Sequence, residues 1–214
     1  MINSRTKKKK PKTKGRPSDI NSYLARLEEV GVFRIADARR LKISQSTLSR
    51  LVQSGSLLRL GTGLYLHPDS KIPPEERDYA LACSKFGPRS VVGGMSALFH
   101  YGLIEQVPQR IWIMVPQQIK TTDRLYRCIR TQTDSSCGTE DHGHYRITNL
   151  ERSLVEAFRY SSKIGLRIAL RATRTALVEK KTTLQKIIQQ AKALGLEKFV
   201  KKHWEAIIPE GQAT

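Results

Sequence analysis

Several features that mark other protein classes are scarce in this sequence. Its 214 residues include only three cysteines, which form no close CxxC pair, so neither a disulfide framework nor a zinc ribbon is indicated. No apolar run approaches the roughly 18 residues that a membrane span requires, and the lysine-rich start lacks a signal-peptide apolar stretch. We therefore expect a protein of the reducing cytoplasm that has no membrane partner.

Familiar catalytic motifs are also missing. The sequence contains no Walker-type glycine loop, no HExxH, no GxSxG and no protein-kinase signature. The polar loop from residue 131 to 144 contains Cys137, His142 and His144, but their spacing matches no standard zinc site. We expect no cofactor, no bound metal and no enzymatic activity.

Acidic residues are few relative to basic ones. There are 38 Lys and Arg against 19 Asp and Glu, a net charge of +19, which is too large to be balanced by surface pairs. The excess is concentrated at the two ends of the chain. Such a distribution indicates a polyanionic partner, and double-stranded DNA is the one we expect.

Residues 1–18 are predicted to form a basic arm that stays disordered until it binds, because nothing in them is apolar enough to order it. The tetrad Lys14-Gly15-Arg16-Pro17 resembles the core of an AT-hook, in which an arginine lies along a narrow minor groove. A solubilising tail that binds nucleic acid without sequence preference is the alternative. Besides Arg5, the cations of the arm are the residues expected to contact DNA, namely Lys7, Lys8, Lys9, Lys10, Lys12, Lys14 and Arg16.

Residues 19–70 are predicted to form a winged helix-turn-helix domain. Apolar residues at helical spacing predict one helix that ends at Gly31 and a shorter second helix. Ser44 is a suitable N-cap for a third helix, which Gly55 terminates. Two short apolar stretches joined by the turn at 61–63 predict a hairpin, which would be the wing of this fold.

The polar face of the third helix is predicted to read DNA bases. Its side chains lie opposite the apolar stripe, and they are types that hydrogen-bond to base edges or phosphates. The base-reading candidates are Ser46, Thr47, Ser49, Arg50 and Gln53. Phosphate or wing contacts are expected from Arg39, Arg40, Lys42, Arg59 and Thr62. A winged helix that mediates only protein contacts is the alternative.

Residues 71–214 are predicted to form a mixed domain, so the whole chain is expected to be α+β. Apolar segments at 111–115, 126–130 and 145–147 predict the strands of a small sheet. Several helices are expected to accompany it, the main ones at 149–158, 164–178, 184–194 and 198–207.

One of these helices is predicted to carry a line of cations. Lys163, Arg167, Arg171 and Arg174 follow at i, i+4, i+8 and i+11, which places them along one side of a continuous helix. Like charges in a row repel, so acids or a polyanion should compensate them. A second nucleic-acid surface and a solvated or salt-bridged face are the two alternatives.

Four segments resemble the AbiEi-like antitoxins of type IV abortive-infection toxin-antitoxin systems. They are GTGLYLHP, GGMSALFHYGL, IWIMVP and ITNLERSLVEAF, which begin at residues 61, 93, 111 and 147. The resemblance covers about residues 20–208 and does not include the basic arm. Glu156 stands where this family more often has aspartate, a change that we expect to keep a structural role.

The resemblance implies a bacterial autorepressor that binds an inverted repeat in its own promoter. It also implies an antitoxin that counteracts a nucleotidyltransferase-like toxin without forming a stable complex with it. The N-terminal domain would suffice for operator binding, and the C-terminal domain would be required for neutralisation. An inverted repeat would place two copies of the chain on one DNA site, and we expect the protein at the nucleoid.

Two alternatives remain open for the function of the whole chain. One is a DNA-processing enzyme, a nuclease or nucleotide-modifying protein that the winged helix delivers to DNA. The other is a nucleic-acid-binding protein without sequence preference. Metal-dependent cleavage would favour the first, and binding with no preferred sequence would favour the second.

Overall fold

The computed structural model describes residues 18–61 and 63–207. Within these ranges the chain is α+β, as the sequence predicts, with two separate sheets. The arm residues 1–17 and the predicted wing residue Thr62 lie outside the described residues. Across the part of the chain that is described, no helix is long and apolar enough to cross a membrane.

Three helices and a three-stranded antiparallel sheet form the N-terminal segment, residues 18–70. Its helices are α1 (Ser18–Val30), α2 (Ile35–Arg40) and α3 (Gln45–Gln53), and its strands are β1 (Val32–Arg34), β2 (Leu58–Gly61) and β3 (Leu64–Leu66). The strand order is β1-β3-β2, so the predicted hairpin is confirmed. Between the two helices predicted here, where no strand is predicted, Val32–Arg34 form a strand that pairs with β3.

One apolar cluster holds these helices against the sheet. Leu27 of α1 and Leu48 and Leu51 of α3 are buried near Phe33, whose ring stacks on that of Tyr65 with centroids 5.7 Å apart. Burial of each side chain of this size contributes about 1.5–3 kcal/mol. The orientation of α3 is therefore set by its apolar side, which leaves its polar side facing solvent.

The turn between α2 and α3 is tight. Lys42 adopts a left-handed backbone conformation with φ 61, which is uncommon for a residue other than glycine. The next residue, Ile43, is buried, and its amide donates a 2.9 Å hydrogen bond to the carbonyl of Ala38. Burial of Ile43 therefore offsets the backbone strain of this turn.

A five-stranded mixed sheet lies at the centre of the remaining chain. Its strands are β4 (Val91–Val92), β5 (Ile111–Val115), β6 (Tyr126–Arg130), β7 (Thr139–Asp141) and β8 (Arg146–Thr148). The order is β6-β5-β4-β8-β7, in which β5 pairs parallel with β6 and β4 pairs parallel with β8. The two longer predicted strands are confirmed, and the third lies one residue further along the chain. The strands β4 and β7 are too short for a sequence pattern to reveal them.

Helices cover both faces of this sheet. A 3₁₀ turn at Pro74–Glu76 leads into the first helix, and the helices are α4 (Arg77–Phe86), α5 (Gly94–His100), α6 (Leu150–Arg159), α7 (Ser161–Ile164), α8 (Leu166–Val178), α9 (Leu184–Ala193), α10 (Glu197–Lys201) and α11 (Trp204–Ile207). Residues of α4 share a cluster with Ile113 and Tyr126 on one face, and α6 packs with Met114 and Ile129 on the other.

Two of the predicted helices are wrong in extent. The helix expected at 164–178 is interrupted at Gly165, which has φ 99 and separates α7 from α8. The helix expected at 198–207 is divided into α10 and α11 by a turn at Lys202 and His203. In the sequence, the apolar residues keep a helical spacing across both breaks, so the spacing reveals neither of them.

The N-terminal segment packs directly against α4. Val32 and Leu66 share a buried cluster with Ile72 and with Ala80 of α4. The Ser84 hydroxyl also donates a 3.3 Å hydrogen bond to the carbonyl of Val32. The chain on the two sides of residue 70 therefore shares buried apolar surface.

Candidate nucleic-acid interface

The outer face of α3 is exposed along its length. Ser46, Ser49, Arg50 and Gln53 are exposed, and Thr47 is half-buried. The side chains of Arg50 and Gln53 make no hydrogen bond or ion pair with any described residue. The structure therefore brings the five predicted base-reading residues onto one solvent-facing surface, with the guanidinium and the amide unoccupied.

The hydroxyls at the start of α3 are engaged in its N-cap. The backbone amide of Thr47 donates to Oγ of Ser44 at 3.1 Å, as the predicted cap requires. The same Oγ lies 2.9 Å from the hydroxyl of Ser46 and 2.8 Å from that of Thr47. If either hydroxyl bound DNA, it would lose its hydrogen bond to Ser44. A contact between Arg50 and DNA would break no hydrogen bond within the described residues.

Cations flank this face on α2 and on the turn that follows it. Arg39, Arg40 and Lys42 are all exposed. Arg40 lies 3.6 Å from Asp37, but its side chain is 82% exposed, so the pair contributes little and leaves the guanidinium accessible. The three charges lie on α2 and on the turn that connects it to α3.

Asp37 is the residue that the sequence analysis missed here. Its carboxylate accepts a 3.0 Å hydrogen bond from the backbone amide of Arg34, the residue before α2, and lies 3.8 Å from Nε of the same residue. The spacing of a polar residue and an acid three positions later is the signal that could have found it. Asp37 fixes the start of α2 and partly neutralises Arg40.

The hairpin carries one predicted cation and two exposed leucines. Nε of Arg59 donates a 3.3 Å hydrogen bond to the carbonyl of Gly61, which holds the side chain along the exposed edge strand β2. Leu58 is 46% and Leu60 is 42% exposed, while Leu57 just before the strand is buried. The edge strand therefore presents both charge and apolar surface to solvent.

The predicted line of cations in the C-terminal helices is not continuous. Lys163 lies on α7, across the break at Gly165 from the other three, and its ammonium is 5.6 Å from the ring of Tyr160. Arg171 pairs with Glu105 at 2.8 Å, and Nε of Arg174 donates to the carbonyl of Ala206 at 2.8 Å. Gly165 therefore separates Lys163 from Arg167, Arg171 and Arg174, which share α8, so the predicted continuous helix that carries all four is wrong.

The histidine-containing loop forms an aromatic cluster. His142 stacks on Tyr145 with ring centroids 4.7 Å apart, and its Nε2 is 3.6 Å from Glu140. His100 lies 5.8 Å from His142, and burial lowers the pKa of His100, with the nearby His142 acting in the same direction. Among the described residues no group of three or more His, Cys, Asp or Glu is placed to hold a metal ion.

The most deeply buried charges belong to α6. Nε of Arg152 lies 3.3 Å from Oε1 of Glu156, and both side chains are almost completely buried. Burial raises the pKa of Glu156, and the arginine opposes that rise. Nη1 of Arg152 also donates to the carbonyls of Asp134 and Cys137, so this arginine fastens the loop before β7 to the core.

The fold and the exposed face of α3 together describe an α+β protein whose N-terminal helices present a polar surface flanked by cations. Residues 22–68 match the family model described as transcriptional regulator, AbiEi antitoxin. Over these residues the match confirms the resemblance to AbiEi-like antitoxin transcriptional regulators. The matched region begins within α1 and ends just after β3, so it includes the whole of α3. No curated protein matches the chain.

Proposed function

We propose that this protein is a DNA-binding transcriptional autorepressor and an antitoxin of a type IV toxin-antitoxin system. Its N-terminal segment would act as a winged helix-turn-helix domain, with α3 in the major groove and the β2–β3 hairpin as the wing. The observation that carries this proposal is the unoccupied guanidinium of Arg50 on the exposed face of α3, inside the region that matches the regulator family.

In this arrangement the residues of the interface have separate roles. Arg50 and Gln53 would read bases, since a guanidinium can form two hydrogen bonds with guanine and a side-chain amide two with adenine. Arg39, Arg40 and Lys42 would hold phosphates, which positions the helix without carrying sequence information. Arg59 would reach the backbone from the wing. The basic arm would add affinity, with Arg16 in an adjacent minor groove.

The operator would be an inverted repeat in the protein's own promoter. Two copies of the chain would occupy it, assembled on the DNA, and the protein would act at the nucleoid in the cytoplasm. The C-terminal segment would neutralise a nucleotidyltransferase-like toxin without a stable complex. The family match supports the regulatory and antitoxin parts of this proposal.

Binding of the purified protein to its own upstream DNA tests the proposal. Affinity is measured by fluorescence anisotropy against a scrambled duplex of equal length, across a salt series. A preference of at least roughly 10³ at physiological salt is expected for a specific regulator. Equal and steeply salt-dependent affinity for both duplexes would contradict it, because the net charge of +19 would then account for all binding.

A further inference from the structure

A cavity of about 330 Å³ opens at the carboxyl ends of β5 and β6. These strands run parallel, with Val115 opposite Arg130, so the segments that follow them meet at the same edge of the sheet. Crevices outside the carboxyl ends of parallel strands are common ligand sites in proteins with such sheets. The volume lies at the lower end of the range for small-molecule pockets.

The lining of this cavity is rich in hydrogen-bond donors. Gln117 and Gln118 follow β5, and Gln132 and Thr133 follow β6. Arg89, which is exposed, lines it together with the buried Arg152. Amides, hydroxyls and two guanidinium groups thus converge on one concave space, from segments far apart in the sequence.

Arg152 leaves part of its guanidinium without a strong acceptor. Nη1 donates to two carbonyls and to Oγ1 of Thr139, and Nε faces Glu156. The contact recorded for Nη2 among the described residues is to Sδ of Met114 at 3.8 Å, and a thioether is a weak acceptor. Met114 and Arg152 both line the cavity, and the Arg152 side chain is fully buried in its wall.

The charges around the cavity favour an anion. Arg159 donates a 3.1 Å hydrogen bond to Oγ1 of Thr133, which places a third guanidinium behind the wall. The acidic residue that lines the cavity is Asp134, and its carboxylate accepts hydrogen bonds from the amide and the hydroxyl of Ser136. Glu156, which faces Arg152, is held in the core behind it and is absent from the lining.

We propose that this cavity binds a small molecule that carries a phosphate group and is about the size of a mononucleotide. A guanidinium pairs with phosphate oxygens through two parallel hydrogen bonds, and the exposed Arg89 at the cavity can supply them. Arg152 adds positive charge from within the wall of the cavity. The glutamine and threonine side chains bind the remaining polar atoms. None of these residues lies on α3, so the site is separate from the proposed DNA interface.

Calorimetric titration of the full-length protein with AMP, inorganic phosphate and citrate tests this inference, at about 0.15 M salt. We expect saturable binding of AMP at one site, and a loss of about tenfold in affinity for Arg89→Ala, as for removal of one charged hydrogen-bonding partner. Arg124→Ala is the matched control, because Arg124 is exposed and is absent from the lining of the cavity. Its affinity for AMP should equal that of the wild type.

Hydrogen exchange locates the site independently of affinity. AMP should slow exchange of the backbone amides at 117–118 and 131–135, and it should do so less in Arg89→Ala at the same concentration. Absence of saturable AMP binding up to about 10 mM would overturn the inference. Equal weakening by Arg89→Ala and Arg124→Ala would also overturn it, since general charge would then explain binding. Citrate bound as tightly as AMP would contradict a phosphate site.

Discussion

Basic residues in the N-terminal segment and in the C-terminal helices are used differently. Around α3, the side chains of Arg39, Lys42 and Arg50 are exposed and make no ion pair with any described residue. In the C-terminal helices, Arg152 is buried against Glu156, and Arg171 is paired with Glu105. A count of charges treats these residues alike, whereas Arg152 and Arg171 each face a carboxylate and the three cations around α3 do not. Excess charge therefore marks a candidate interface only where the fold leaves the cations without partners.

The strongest test of this contrast removes the buried arginine. Arg152→Met leaves Glu156 in the core without its partner, so we expect the free energy of unfolding to fall by about 3–5 kcal/mol. Urea denaturation at neutral pH measures it. A loss below about 1 kcal/mol, within the ordinary range for surface changes, would show that the pair is dispensable.

The same variant has a predicted pH dependence. Burial raises the pKa of Glu156, and removal of Arg152 should raise it further. A carboxyl whose pKa is higher in the folded state costs stability as the pH rises from its unfolded towards its folded pKa. The loss caused by Arg152→Met should thus be smaller near pH 5 than near pH 7. A loss independent of pH would assign it to packing instead.

Truncation of the unoccupied arginine on α3 should act on DNA rather than on stability. Arg50→Ala should cost about 1–3 kcal/mol of binding to the specific duplex, because a base contact is lost, and much less to a scrambled one. Anisotropy titrations on both duplexes measure the difference. Arg124→Ala serves as a charge-matched control. Equal losses on the two duplexes would contradict a base-reading role for Arg50.

Deletion of residues 1–16 should weaken binding to every duplex. This segment holds eight cations and no acid, so its loss should reduce affinity roughly tenfold and flatten the dependence on salt concentration. The ratio between specific and scrambled duplexes should change little. Affinities measured over a salt series give the slope of affinity against salt concentration. An unchanged slope would show that the arm makes no contact with DNA phosphates.

Removal of a paired surface arginine should have the smallest effect. The side chains of Arg171 and Glu105 are 72% and 89% exposed, so Arg171→Ala should change stability by less than about 1 kcal/mol. Affinity for either duplex should also stay close to that of the wild type. A loss of DNA binding as large as that of Arg50→Ala would show that the C-terminal helices form a second nucleic-acid surface.

Local sequence patterns predict much of the N-terminal segment. The apolar side of α3, the Ser44 cap and the hairpin depend on residues near one another in the chain, so periodicity and turn chemistry suffice. The strand β1 is the exception. It is three residues long, and its pairing with β3 joins Val32 to Leu66, a contact that no local pattern contains.

The C-terminal segment is less predictable for the same reason. Its two longer strands are recognisable from apolar runs, but β4 and β7 exist only through their neighbours in the sheet. The break at Gly165 was missed because the apolar period continues past it. The cavity beside Arg152 combines residues from four separated stretches of chain, so sequence spacing gives no sign of it.

The charge excess and the cap and polar face of α3 can be predicted from the sequence alone. These properties follow from composition and from short-range periodicity. Which cations have partners is visible only in the folded chain: Arg50 has none among the described residues, while Arg152 lies buried beside Glu156. Partnership depends on contacts between distant parts of the chain, which packing of the whole core determines.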